Sequence, residues 1–324
     1  MLWYLASMGS IDWPSFAGLI KGWQYTLIAI GLFVVASGLQ ALRLQLLINA
    51  YQLNLSYIAA IKLTFIGLFF STYLPGAAGG DLVKIYYASK GNAGSRAEVI
   101  TIILLDRFVG LFTLLTLPLL LAPFFLDLGT AQPALKALLG TSLAIACGII
   151  LASIIGSRFE LADSQVLQWI QRNFRFGQLL TRMLHTLHFY RNSMDVVFRA
   201  LVFSYVGQFL MVGVAMAIAQ ATNPAGADPI MLVLIPMGYL ATALPITPGG
   251  LGVGEAALES LFTMSGLSGG AETILGWRLI MIIVGLLGLA FYLKGDQRFV
   301  FHPDANEPSG EMPESADRRL TQKV

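Results

Sequence analysis

Two arginines inside long apolar runs, Arg107 and Arg278, are the residues of this chain best suited to chemistry. A charged side chain near the centre of a bilayer costs about 2.5 to 3.5 kcal/mol on insertion, so each arginine needs compensation. An acidic residue precedes each one at a similar distance, Asp81 by 26 residues and Glu255 by 23 residues. One interpretation is therefore a structural ion pair between each arginine and its acid.

The second interpretation, compatible with the first, is that the arginines bind a phosphate group, because a forked guanidinium matches phosphate oxygens. Lys84 lies one helical turn after Asp81 and adds a cation. Glu259 lies one turn after Glu255, so both glutamates can face the same way. The carboxylates either cap the first turn of short helices or face a polar cavity as proton-titrating or cation-binding groups.

Each acidic residue ends a Pro-Gly-rich link, PGAAGGD at 75–81 and PGGLGVGE at 248–255. Proline stops a helix and glycine lets the backbone turn sharply. Paired, Gly/Pro-interrupted apolar segments in two halves of a chain indicate the binding site of a transporter. The alternative is that the glycines are close contacts between helices. The candidate cavity-lining glycines are Gly79, Gly80, Gly249 and Gly250.

The elements that carry these residues are membrane helices. The chain has 324 residues, of which 56% are hydrophobic and 12% charged, against about 25% charged in a soluble domain. The apolar runs are too long for barrel strands, which favours α-helices that need about 20 residues to cross a bilayer. Seven runs cross or deeply enter the membrane: 24–48, 57–74, 99–125, 135–156, 200–220, 230–247 and 273–294.

Charge placement predicts the orientation of these segments. The connection 157–199 carries six basic and three acidic residues, and the positive-inside rule places it in the cytoplasm. The links 126–134 and 221–229 contain no Lys or Arg and fit the opposite side. The apolar spacing within 157–199 indicates an amphipathic helix on the membrane surface.

This orientation makes the two broken segments enter from opposite faces. The pair 57–74 and 81–89 forms a hairpin from the cytoplasmic side, and the pair 230–247 and 255–264 forms one from outside. The predicted fold is all-α, a polytopic membrane protein with two inverted-topology repeats that contain Gly/Pro-broken re-entrant hairpins. A full span followed by a fragment is the alternative for either pair.

The expected organisation has three parts. Residues 1–23 form an interfacial N-terminal segment, 24–295 the transmembrane domain, and 296–324 a disordered cytoplasmic tail rich in Pro, Glu, Asp and Ser. Cys147 is the single cysteine, so no intramolecular disulfide forms. We interpret Arg43 and Lys62 as snorkelling from the ends of spans. His185 and His188 lack further ligand-type neighbours, so we expect no metal site and no cofactor.

The motifs YLPGAAGGDLVK, LLDRFVG, TPGGLGVGEAAL and GWRL occur in this order. They resemble those of the flippase-like membrane family typified by the transmembrane region of lysylphosphatidylglycerol synthase. The resemblance covers about residues 20–295, with Lys84 at a position where arginine is common in the family. Since the sequence ends in a short polar tail, we expect the aminoacyl-transferase domain of the bifunctional members to be absent, and the resemblance implies a stand-alone lipid translocator.

The functional hypothesis is a lipid flippase of the cytoplasmic membrane that moves a phospholipid or another lipid-linked anionic headgroup, and that is not an enzyme. The alternatives are a membrane-embedded enzyme acting on lipid-linked phosphate or sugar, and an accessory subunit of a lipid-synthesis complex. The chain shows no nucleophile-base constellation or nucleotide fingerprint. We expect a membrane lipid and no nucleic acid as the ligand, and a second copy of the chain or a lipid-synthesis enzyme as the protein partner.

Overall fold

The described part of the computed structural model is helical. It comprises residues 18–51, 53–73, 79–90, 96–127, 129, 131–158, 186, 188–191, 193–222, 226–243, 247 and 250–294. Within these residues no strand occurs, and the main helices are α1 (Trp23–Ala50), α2 (Tyr57–Tyr73), α3 (Gly79–Lys90), α4 (Arg96–Phe125), α5 (Pro133–Arg158), α6 (Met194–Thr222), α7 (Met231–Thr242), α8 (Val253–Met264) and α9 (Gly270–Leu293). The all-α prediction is confirmed.

Five helices are long and apolar enough to cross a membrane, namely α1, α4, α5, α6 and α9. Two shorter apolar helices, α2 and α7, coincide with the remaining two predicted runs. Apolar side chains on these helices remain exposed, among them Leu104 and Phe108 on α4 and Val206 on α6. Such all-round apolarity is typical of helices that face lipid, because no aqueous surface has to be covered by polar groups. The chain is therefore a multi-pass membrane protein.

Several predicted segments lie outside the described residues. These are nearly all of the interfacial N-terminal segment, the cytoplasmic tail, and residues 159–185 of the amphipathic connection, which include His185. Gly249 also falls outside the described part. The predictions for these residues stay predictions.

The first broken segment folds as two antiparallel helices, α2 and α3. A Cβ added to Gly80 would lie 2.2 Å from the Gly67 carbonyl oxygen and 2.0 Å from Ser71 Oγ. One turn further along α3, Lys84 Cε lies 2.5 Å from the Cβ position of Gly67. Glycine is required at this contact because any side chain would separate the two backbones.

The second broken segment, α7 and α8, folds in the same way. A Cβ on Gly254 would lie 2.3 Å from Thr242 Cγ2, and one on Gly238 would lie 2.9 Å from Leu258 Cδ1. As α8 advances from 254 to 258, its neighbour on α7 moves back from 242 to 238, so the two helices run antiparallel. A carboxylate lies in the first turn of α3 and of α8.

Helix contacts in the two halves correspond to one another. α2 packs on α9 and α7 packs on α4; α3 contacts α2 and α4, while α8 contacts α7 and α9. The long helices α1 and α6 pack against each other between the two sets. α5 contacts α4 and joins the halves in sequence.

Two apolar clusters are stacked along the helix bundle. The first apolar cluster includes Leu44, Leu47, Ile103 and Ala200, near the end of α1 and the starts of α4 and α6. The second apolar cluster includes Phe33, Ala36, Leu114 and Met211. On α1, α4 and α6 alike, a stretch that contains polar residues separates the residues of one cluster from those of the other. This stretch forms the candidate site.

Candidate functional site

A polar cavity of about 200 Å³ lies between the two apolar clusters and is bounded by α1, α3, α4 and α6. Three cations and two carboxylates line it, together with neutral polar groups. The charged residues are Arg43, Asp81, Lys84, Asp106 and Arg107, and the neutral polar residues are Gln40, Ser204 and Gln208. The charged groups sum to +1, so the cavity favours an anion.

The cavity lies well inside the bundle. Arg107 is 11 residues beyond the start of α4, which is about 16 Å along the axis at 1.5 Å per residue. Arg43 is seven residues before the end of α1. Arg43 and Arg107 are therefore about two and three helical turns from these helix ends.

Asp81 on α3 contacts two cations, Lys84 on the same helix and Arg107 on α4. Arg107 Nη1 donates to Asp81 Oδ2, and Lys84 Nζ lies 3.5 Å from Asp81 Oδ1. The ion pair expected between Asp81 and Arg107 is therefore present. The side chain of Arg107 is 27% exposed and that of Asp81 is 15% exposed. This group remains accessible from the cavity, so a ligand can reach it.

The ion pair in the second half, between Glu255 and Arg278, is buried. Arg278 Nε donates to Glu255 Oε1 at 2.7 Å, and Arg278 Nη2 donates to the Gly250 carbonyl oxygen at 2.8 Å. Glu255 Oε2 also accepts the Gly252 N–H at 2.8 Å, so this carboxylate caps the first turn of α8. The side chains of Arg278 and Glu255 are 9% and 8% exposed. Neither residue lines the cavity described above.

The other predicted site residues serve helix ends. Glu259 Oε2 accepts the Ala271 N–H at 3.0 Å, at the first turn of α9. Its carboxylate therefore neutralises a helix N-terminus. Gly79 and Gly80 are buried at the start of α3. Gly250 adopts a φ of +68°, which glycine tolerates, and presents its carbonyl oxygen to Arg278.

A second buried ion pair was missed by the sequence interpretation. Arg43 Nε donates to Asp106 Oδ1 at 2.6 Å, and each residue is 6% exposed. The expectation that Arg43 snorkels to the membrane surface is therefore wrong. Asp106 supplies the reason, because a carboxylate inside an apolar helix needs a cation from elsewhere in the bundle. An acidic residue without an assigned partner was the signal that pointed to this pair.

Hydrogen bonds extend this pair across three helices. Arg43 Nη1 donates to Ser204 Oγ at 2.8 Å, and Ser204 Oγ lies 2.6 Å from Thr113 Oγ1. Thr113 in turn donates to the Gly110 carbonyl oxygen at 3.0 Å. A Cβ on Gly110 would lie 3.2 Å from Arg43 Nη1, so glycine gives the arginine its space. The network holds α1, α4 and α6 together at the base of the cavity.

Among the residues that the structure describes, no group of His, Cys, Asp and Glu is arranged to hold a metal ion. The lining of the cavity presents charged side chains and hydrogen-bond donors. Arginine and lysine donate N–H groups to oxygen anions, and the buried environment strengthens each such bond. The arrangement suits a phosphate or another oxyanion.

The fold and cavity define a multi-pass helical membrane protein with a charged internal site. The chain belongs to the family described as the lysylphosphatidylglycerol synthase TM region, whose sequence model matches residues 1–288. The predicted family is confirmed.

A related protein is a "UPF0104 membrane protein" of Pyrococcus horikoshii, 27% identical over 154 residues. The match covers 47% of this chain and 45% of the relative. The matched region thus spans less than half of the relative's length. No solved structure matches the chain.

Proposed function

We propose that this protein moves a lipid with an anionic headgroup between the leaflets of the cytoplasmic membrane. The observation that carries the proposal is the cavity with three cations and two carboxylates inside a bundle of apolar helices. Ionisable groups within the membrane are costly and typically mark the path of a polar substrate. A family described by a lipid synthase's transmembrane region is consistent with a lipid ligand.

The headgroup and the acyl chains of the lipid contact different surfaces of the protein in this proposal. The phosphate binds Arg107 and Lys84, which both line the cavity. Phe108 follows Arg107 in the sequence and is 48% exposed, and Leu82 follows Asp81 and is 64% exposed. They offer an apolar surface on α4 and α3 beside the charged site, so the acyl chains remain in contact with lipid while the headgroup is bound.

Alternating access follows from an inverted repeat. The matched contacts of α2 with α9 and of α4 with α7 support two related halves. The two antiparallel helix pairs support hairpins that approach the bundle centre from opposite faces. In transporters of this kind, one repeat rocks against the other around a site at their interface. The protein itself catalyses no covalent step in this scheme.

Reconstitution into liposomes tests the proposal. We expect the wild-type protein to exchange a labelled anionic phospholipid between leaflets faster than liposomes that contain heat-denatured protein. The variant Arg107→Lys keeps the ion pair with Asp81 but loses the forked donors, so we expect slower exchange with unchanged folding. The exposed Arg199→Lys is the matched control and should leave exchange unchanged. Absence of exchange by folded wild-type protein, for all anionic phospholipids tested, would refute the function.

A further inference from the structure

We propose that Asp81 is a resident counter-ion that occupies the phosphate position in the empty cavity, and that the substrate is a phosphodiester lipid of net negative charge. The inference rests on the proposed function and concerns how the site holds and releases its ligand. It assigns Asp81 the role of a competitor for Arg107 and Lys84, in addition to that of an ion-pair partner.

The geometry of Asp81 is that of a bridging anion. One carboxylate oxygen accepts from Arg107 and the other lies 3.5 Å from Lys84 Nζ. A lipid phosphodiester also carries one negative charge, shared by two free oxygens. It can therefore take the same two cations in the same bridging manner, with one oxygen directed to each.

Three ion pairs near the bundle centre differ in how readily a ligand can displace the acid. Asp106 and Glu255 are 9% and 8% exposed at the side chain. Asp81 and Arg107 are more exposed, and the contact with Lys84 is long for a hydrogen bond. The Asp81 carboxylate is therefore the acid in this set that an incoming anion can displace at the lowest cost.

Charge balance determines the substrate class. Lys84, Arg107 and Asp81 together carry +1, so a phosphodiester brings this group to neutrality. A headgroup with one additional cation would leave the group at +1 instead. The site thus favours headgroups whose remainder is uncharged.

Displacement also explains release. When the phosphate leaves, Asp81 returns to Arg107 and Lys84, and the empty cavity does not hold unpaired buried cations, which would be costly. Removing the carboxylate should therefore strengthen binding and slow turnover. A purely structural ion pair predicts something different, because its loss weakens binding and transport together.

Binding and exchange of the full chain test the inference. In detergent, we expect Asp81→Asn to bind dihexanoyl phosphatidylglycerol roughly tenfold more tightly than wild type, and Lys84→Gln roughly tenfold more weakly, because one charge changes beside the phosphate. In liposomes, Asp81→Asn should exchange long-chain phosphatidylglycerol more slowly than wild type at saturating lipid. Asp195→Asn removes an acid from an exposed pair and is the matched control, with unchanged affinity.

The outcomes separate this inference from the proposed function. Unchanged or weaker binding by folded Asp81→Asn overturns the counter-ion role, even if the wild type transports lipid. Tighter binding by that variant without any wild-type exchange supports the counter-ion and refutes transport. If Asp81→Asn does not fold, the charge-balanced double variant with Lys84→Gln replaces it and should bind more tightly than Lys84→Gln alone. Equal affinities there overturn the inference.

A second probe tests the substrate class. A short-chain cationic phosphotriester lipid has the same glycerol backbone and no free phosphate charge. We expect the wild type to bind it at least tenfold more weakly than dihexanoyl phosphatidylglycerol, on the scale of one lost charge interaction. Equal binding of the two lipids would show that the cavity does not select an anion.

Discussion

The two halves of this protein carry an acid and an arginine at matching positions, but only the first pair opens onto the described cavity. Asp81 and Arg107 are partly exposed and lie at the cavity wall. Glu255 and Arg278 are closed off and bind the turn that precedes α8. The comparison teaches that one sequence motif can lie at a cavity wall in one half of the chain and stabilise a buried turn in the other.

The residue before each arginine accounts for the difference. In α4 it is Asp106, which draws Arg43 into the bundle and adds polar lining to the cavity. In α9 it is Trp277, whose ring lies 5.0 Å from Tyr239 and 6.5 Å from Phe33, measured between centroids. Trp277 therefore makes aromatic contacts at the sequence position where Asp106 makes polar ones.

The largest expected effect separates the two pairs by stability. Glu255→Gln leaves the buried Arg278 charge without its carboxylate, and we expect a loss of about 3 to 5 kcal/mol in the free energy of unfolding. Asp81→Asn should cost less, because Arg107 is more exposed and solvent screens its charge. Thermal unfolding in detergent measures both. Equal losses would break the comparison.

A smaller effect contrasts the two helix hairpins. In Gly80→Ala the new methyl group meets the Gly67 backbone, which cannot move freely, whereas in Gly254→Ala it meets the Thr242 side-chain methyl. Overpacking against backbone should destabilise the first variant by about 1 to 3 kcal/mol. We expect Gly254→Ala to lose less, because the Thr242 side chain can rotate. Unfolding measurements that rank the variants in the reverse order would contradict the described packing.

The smallest expected effect is the loss of stability when an ion pair on the protein surface is removed. Asp195 pairs with Arg199 one turn away on α6, and both side chains are more than half exposed. Asp195→Ala should change the free energy of unfolding by no more than about 0.5 kcal/mol, since water and salt screen the pair. A loss comparable to that of Glu255→Gln would show that burial does not distinguish these ion pairs.

Much of the architecture followed from the sequence because membrane helices depend on local composition. The apolar run 57–74 corresponds to α2 (Tyr57–Tyr73), and the short segment after PGAAGGD corresponds to α3 (Gly79–Lys90). The pairing of Asp81 with Arg107 followed from the cost of an unpaired charge in the membrane. These inferences need only spacing along the chain and one energetic rule.

The cavity itself required the tertiary structure. Arg43 is 63 residues from Asp106 and 161 residues from Ser204. Spacing along the chain carries no information on contacts of this kind, which depend on how α1, α4 and α6 cross. The different roles of Arg107 and Arg278 were hidden for the same reason. Both arginines follow the same pattern in sequence, and only packing around Trp277 and Asp106 distinguishes them.

Leaflet exchange by two doubly neutralised variants tests the central claim most directly. One variant combines Asp81→Asn with Arg107→Gln, and the other combines Glu255→Gln with Arg278→Gln. Removing both members of a buried pair is far less costly than removing one, so both proteins should fold. Normalised to folded protein, the first should lose exchange of anionic phospholipid and the second should retain it. Full exchange by the first variant, or loss confined to the second, would contradict the assignment of the binding site to the first half.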